Sequence, residues 1–435
     1  MDHIQKFDSP DYRRSRGVYV VECMFEYFVL LLLQDAFLAK LLVAVGFSDS
    51  QIGVLSSMIS LAFIFQFCSL LLAKRSGSRK SLILVLDSVG QCLFLVLFLL
   101  PLLGLDPQIK RGLVYACIIG GYACKNLVAT FLFRWANGYV DPYKRASYSA
   151  TKECISLIGG MIFTLAMGWG FDKLEASGNL MGGFILLAGV VLVCNMGTFI
   201  CLVLIKKDTP SPAEVGQKKS WRDICAHTLG NKNFIRLTII SALAKAAQYT
   251  TVGFMGTFKT DTTGNGLAMS LTLVSAIATI ANLARLAVTK PFGKYSDKRS
   301  FASGFYLSMV IAAVAFVCNI FTGESTWYLV IVHTILFNVS AAGSNQNASN
   351  MTYSYIDGNY LSEALALKNG ISGVFGFLCS LLAGEILGAV QARGNMIFGI
   401  HVFGQQVLGL LSLAFTVACI VYMKCTIMRE KVVKQ

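Results

Sequence analysis

Glu22 and Glu26 stand one helical turn apart in a run that is otherwise almost wholly apolar, and Lys125 and Lys245 interrupt two further apolar runs. An ionisable side chain surrounded by hydrocarbon is costly to keep, so each such residue is a candidate for function before it is a candidate for packing. A carboxyl in a low-dielectric site holds its proton more readily than one in water, which is the property proton coupling requires. Glu26 is the first candidate for that role, with Glu22 and Asp35 next. The bland alternatives are a boundary pairing of Glu22 with Arg14 and a static pairing of Glu26 with Lys125 or Lys245. The two ammoniums also suit a negatively charged solute. Tyr27, Tyr122 and Tyr249 add flat rings and hydroxyls, while Gln34, Asn126, Gln248, Asn338 and Asn345 add neutral hydrogen-bonding groups. No His, Cys, Asp or Glu cluster has metal-ligand spacing, so neither a metal nor a cofactor is expected.

The elements that must hold these groups follow from composition. The chain has 435 residues, 55% of them hydrophobic and only 14% charged, against roughly 45–50% apolar and about 25% charged in a soluble protein. Broken at charge and Gly/Pro clusters, it gives twelve apolar runs. They are 18–46, 51–73, 81–103, 112–133, 146–170 and 180–205, then 234–258, 268–290, 303–321, 326–348, 364–390 and 396–423. Each is long enough to cross a bilayer as a helix, and lipid leaves the backbone of a single segment no other way to satisfy its hydrogen bonds. The sequence predicts an all-α membrane protein of twelve transmembrane helices and excludes a soluble enzyme, a secreted disulfide scaffold and a disordered chain. The thirteen cysteines lack ligand spacing, and those inside the runs act as small hydrophobes.

The formal net charge is +14. In a soluble chain that balance suggests nucleic acid; here the excess of Lys and Arg expected in cytoplasmic loops accounts for it. Twenty-six of the 37 Lys and Arg lie in loops and tails on one side of the predicted membrane, and five lie in the loops opposite. Both termini and the middle segment are therefore expected in the cytoplasm, beneath a plasma (inner) membrane. The domain plan is a tail over 1–17, a six-helix bundle over 18–205, a linker over 206–233, a second six-helix bundle over 234–423 and a tail over 424–435. Within the linker, 221–229 reads as a short amphipathic surface helix.

The two bundles echo each other. Sliding 139–160 onto 355–376 pairs seven identical residues in 22 positions, among them Lys152 with Lys368 and Gly160 with Gly376. Glu26-Tyr27 falls likewise on Gln248-Tyr249. Duplicated six-helix halves with a site between them at mid-membrane belong to secondary transporters.

After the eighth run the chain reads Pro291-Phe-Gly293-Lys-Tyr-Ser-Asp297-Lys298-Arg299. This resembles the G-x-x-x-D-R/K loop signature of the major facilitator superfamily. The span count, the even split and the long linker extend the resemblance over essentially the whole chain. The loop after the second run keeps Gly77, Arg79 and Lys80 but has Lys74 where the family's Asp would stand. The resemblance implies that spans one, four, seven and ten line a central cavity. That makes Tyr27, Gln34, Tyr122, Lys125, Asn126, Lys245, Gln248, Tyr249, Asn338 and Asn345 the substrate-binding candidates. It also implies a gating role for Gly293, Asp297 and Lys298, with Asp297 tethering the start of span eleven. Lys152 and Lys368, two turns into their helices, read as gate-side charges.

The expected function is secondary active transport: proton-coupled uptake (symport) of a small polar organic solute such as a sugar, glycoside or organic acid, by alternating access. Proton-coupled efflux of amphipathic compounds is the alternative. Drug-proton antiporters of the family carry a glycine-rich motif with a proline in span five, whereas all seven prolines here lie elsewhere. No phosphate-cradling glycine loop is present, which argues against ATP as the driving force. A membrane enzyme would need a reactive boundary cluster and a substantial catalytic loop, and His227 in the linker has no such company. The expected partners are a small-molecule substrate, protons and the lipid bilayer, without nucleic acid, and a monomer suffices.

Overall fold

The computed structural model describes residues 9–62, 65, 79–140, 145–206, 221–356 and 360–428. The loop bearing Lys74 and Gly77, the linker residues 207–220 and the ends 1–8 and 429–435 lie outside the described residues. Fourteen α-helices are described. The first seven are α1 (Pro10–Leu32), α2 (Asp35–Ala44), α3 (Asp49–Ala62), α4 (Arg79–Leu99), α5 (Pro107–Asn137), α6 (Arg145–Ala176) and α7 (Leu180–Leu204). The rest are α8 (Trp221–Leu229), α9 (Lys232–Thr260), α10 (Leu271–Lys298), α11 (Phe301–Ile320), α12 (Leu329–Tyr355), α13 (Leu361–Ala392) and α14 (Gly404–Cys425).

Eight of these helices are long and apolar enough to cross a membrane, and α1 with α2 forms a ninth span bent by 51°. Side chains such as Ile162, Val193 and Leu382 are largely exposed on them, as a surface facing lipid tails requires. α9 and α12 are long enough at 29 and 27 residues, but Lys, Gln, Asn and Ser interrupt their apolar character. With these two and α3, each of the twelve expected runs contains a described helix.

Three details depart from the sequence reading. Span one is not a continuous helix over 18–46: Gln34 adopts an extended backbone and Asp35 has φ +48°, which breaks the helical hydrogen-bond ladder. Gln34 and Asp35 are exposed at this bend, away from the stripe that carries Glu22 and Glu26. The run 396–423 opens with a short hairpin, Met396–Ile397 against Ile400–His401, turned through the positive φ of Phe398 and Gly399. The segment from Pro291 to Lys298 is not a loop but the last turns of α10, which accommodates Pro291 inside the helix.

Contacts divide the chain into two compact units, Met1–Gly46 with Phe65–Lys218, and Phe47–Ile64 with Lys219–Gln435. In the first, α1 packs on α6 and α7, and α4 on α5 and α7. In the second, α9 packs on α13 and α14, and α11 on α12 and α14. The cores correspond as well. Tyr19, Ile83, Val128 and Leu202 meet in one, and Ile240, Phe305, Met351 and Cys419 in the other. Each core joins the first, third, fourth and sixth helices of its half.

The second unit includes α3, which packs against α9 and α13. Small residues permit that approach. The Ser50 hydroxyl donates to the Gly384 carbonyl at 2.7 Å, and the Gln391 amide donates to Asp49 at 2.8 Å. Gly53 faces Phe254 so closely that any Cβ there would overlap the ring. Gly53→Val should therefore lower the thermal midpoint of the purified protein, since overpacking costs about 1–3 kcal/mol. Gly388→Ala, whose Cβ would meet Ser50 at an ordinary 3.8 Å, should leave that midpoint unchanged or slightly raised.

Candidate functional site

The first unit holds a buried charge cluster. The Lys125 ammonium on α5 donates to Asp87 on α4 at 2.6 Å and lies 3.3 Å from Glu26 on α1. Lys125 and Asp87 are buried with side chains 9% and 3% exposed, and Glu26 is the more open at 25%. Glu22, one turn from Glu26, is completely buried. Neither of its oxygens has a hydrogen-bond partner among the described residues, and the adjacent Cys23 thiol is a weak donor at best. Three carboxyls thus share one ammonium. Two can be neutralised as ions by contact or by proximity only at an unfavourable balance, because one positive charge offsets one negative charge in a medium that solvates neither.

Asp87 is absent from the sequence-derived candidates, because span three was not expected to face a cavity. Its signal was available: apart from the first two residues, it is the one charged residue in α4. Tyr122 and Asn126 lie beside Lys125 on α5 but point into the packing. The Tyr122 ring meets Phe94 edge-on with centroids 5.2 Å apart, and the Asn126 amide donates to the Tyr122 carbonyl at 2.8 Å.

The second unit holds a cavity of about 380 Å³ lined by α9, α11, α12, α13 and α14. Lys245, Gln248 and Tyr249 line it from α9, Asn345 from α12 and Lys368 from α13. The Lys245 ammonium donates to Gln248 at 3.0 Å and lies 5.4 Å from the Tyr249 ring centroid. Lys368, which the sequence reading put at the gate, is a wall of this cavity, 3% exposed. It donates to the Ala348 carbonyl and the Thr352 hydroxyl, both at 3.3 Å. Asn338 is not among the lining residues; its amide donates to the Thr334 carbonyl one turn back. His333 is buried against the Ala315 carbonyl at 2.8 Å, a packing role.

The repeat seen in sequence is also a repeat of contacts. A Cβ on Gly160 of α6 would lie 2.5 Å from the Tyr27 ring, and one on Gly376 of α13 would lie 2.8 Å from the Tyr249 ring. In each unit the tyrosine of the first helix therefore rests on the glycine of the fifth, which only a residue without a side chain allows. Their partner lysines differ: Lys152 lies 5.1 Å from the Tyr19 ring centroid, whereas Lys368 lines the cavity.

The sequence profile of the Major Facilitator Superfamily matches residues 18–378. The chain belongs to the major facilitator superfamily. Its fold is that of solved superfamily transporters. A single-substitution variant of the nucleoside transporter NupG aligns with TM-score 0.71 at 12% identity, over 94% of this chain and 99% of that one. A bacterial homologue of the human lysosomal transporter Spinster gives TM-score 0.64 at 13% identity, over 96% of each chain. A bacterial homologue of the iron transporter ferroportin gives 0.64 at 14%, over 95% of this chain and 98% of that one. No curated protein matches the sequence. The superfamily makes this chain a multi-pass membrane transporter and not an enzyme.

Of the superfamily signature, Gly293 sits inside the last turns of α10, while Asp297 and Lys298 are exposed. The start of span eleven, where Asp297 was expected to make its contact, falls at the start of α13 (Leu361–Ala392), and residues 357–359 just before it lie outside the described residues. Among the described residues no group of three potential metal ligands assembles.

The buried ion pair generates a test. Asp87→Asn leaves Lys125 without its shortest contact and should lower stability by about 3–5 kcal/mol, the usual loss when one member of a buried pair is removed. Adding Lys125→Met should restore at least half of the loss of thermal midpoint in detergent, because the uncompensated charge is then gone. Additive effects of the two substitutions would show that the pair is not coupled.

Proposed function

We propose that this transporter takes up a small polar organic solute together with protons, by alternating access of the cavity lined by α9, α12 and α13. The observation that carries the reading is the Lys125 ammonium held by Asp87 and Glu26, with Glu22 buried one turn along α1 from Glu26. A buried carboxyl without a donor, as Glu22 is, bears charge only at large cost. A proton bound there removes that cost, which makes Glu22 a candidate proton carrier. Glu26, the most open member, is the route by which the cluster meets water. Asp35, exposed at the bend and far along the helix from this cluster, belongs to a second rank.

The polar groups on the cavity wall supply the hydrogen bonds a hydroxylated or amide-bearing solute needs. Gly293, Asp297, Lys298 and Lys152 act at the gate. The protein works as a monomer in the plasma (inner) membrane, with the tails 1–17 and 424–435 and the linker 206–233 in the cytoplasm and six-helix bundles over 18–205 and 234–423. The charge asymmetry of the loops supports that orientation.

The test is a flux measurement. Protein reconstituted in liposomes loaded with a pH-sensitive dye should acidify the lumen when one class among sugars, organic acids and cationic drugs is added outside. Glu22→Gln and Glu26→Gln should each reduce proton entry at least about tenfold. Proton movement opposite to a lipophilic drug would replace uptake by efflux. Solute entry without any proton signal would remove proton coupling from the reading.

A further inference from the structure

Lys245 and Lys368 both line the cavity of the second unit, and among the described residues neither has a carboxylate within 4 Å. Their protein partners are neutral: a glutamine side chain for Lys245, and a carbonyl and a hydroxyl for Lys368. The 3.3 Å bonds of Lys368 are long for an ammonium, whose charge-assisted contacts to an anion run at about 2.7–2.9 Å. No Asp or Glu lines the cavity among the described residues, and Phe305, Met309, Phe316 and Phe337 complete the wall. Two like charges beside apolar rings are unfavourable in the empty cavity and favourable once a negative group enters. The contrast with Lys125 is informative. That ammonium is surrounded by acids of its own unit and needs no ligand to neutralise it.

We infer that this cavity binds a small organic anion, with its carboxylate or phosphate held by Lys245 and Lys368. The inference rests on the transporter reading above and names the solute class within it. About 380 Å³ falls in the range of small-molecule sites. Gln248, Asn345, Asn369 and Ser372 on the wall offer donors and acceptors to a hydroxylated body, so a sugar acid, a sugar phosphate or a hydroxycarboxylate fits the lining. The Tyr249 ring, backed by Gly376, supplies a flat face for such a body. Lys152, the sequence mate of Lys368, lies by Tyr19, so the anion site is a property of one half of the repeat.

Binding to the full chain in detergent decides the matter without any gradient. Thermal stabilisation is titrated at constant ionic strength with D-glucuronate, D-glucose 6-phosphate, uridine 5′-monophosphate and citrate, beside the uncharged D-glucose and uridine. The expected result is saturable stabilisation by at least one anion and none by its uncharged counterpart. Lys245→Gln and Lys368→Gln should each weaken that anion at least about tenfold, Lys245→Arg should restore most of it, and Lys173→Gln on the exposed surface should change nothing. Lys245 is only partly buried, so Lys245→Gln decides if Lys368→Gln does not fold. The inference is overturned if the uncharged compounds bind as tightly as the anions. It is equally overturned if no anion saturates, or if both glutamine variants keep their affinity within about twofold. Failure here leaves proton coupling standing, and a silent proton signal in liposomes leaves anion binding standing.

Discussion

An ammonium inside a membrane must find either an anion or a polar cavity, and this protein meets the condition in two different ways. Lys125 is enclosed by Asp87, Glu26 and Glu22 in the first unit. Lys245 and Lys368 face a cavity with neutral partners in the second. The apolar helices around both sites are what make the distinction matter, because hydrocarbon screens nothing. Much of the molecule's remaining architecture serves to hold these six polar side chains in place. The helices that carry the most polar residues, α9 and α12, are stabilised by packing against α13, α14, α10 and α11 rather than by their own apolarity.

The duplication explains how one packing plan hosts two chemistries. Corresponding helices meet in both units, and corresponding cores are filled by different apolar side chains. Tyrosine-on-glycine contacts recur at Tyr27–Gly160 and Tyr249–Gly376, because they set how closely the first and fifth helices approach. The residue before each tyrosine is free to diverge: Glu26 in one half contacts Lys125, and Gln248 in the other accepts from Lys245. A backbone arrangement is thus shared while the charge pattern is not.

The twelve helical runs, the repeat and the family were legible in the chain before any coordinates, since hydropathy and loop charge are direct consequences of a lipid solvent. Several site residues were legible too, because a charge within an apolar run stands out. Asp87 stood out equally, but helix order alone gave no reason to turn span three toward span four. The bend at Gln34 and Asp35 was hidden because nothing in an apolar run marks a broken ladder without Gly or Pro. The hairpin at Met396–His401 was hidden for another reason: its four apolar residues read equally well as strand or helix, although Gly399 sits at its turn.

What the sequence by itself determined is therefore the class of molecule: a membrane-spanning, internally duplicated helical transporter, with charges buried where lipid makes them expensive. These follow from composition and periodicity, which act residue by residue along the chain. Only the tertiary structure decided which of those charges meet. Whether Lys125 pairs with Asp87, whether Lys368 lines the cavity, and whether the Asn338 amide bonds back to its own helix all depend on the rotation of one helix against another. That rotation is set by packing at glycines such as Gly160 and Gly376, through contacts between residues more than a hundred positions apart, which no local pattern encodes.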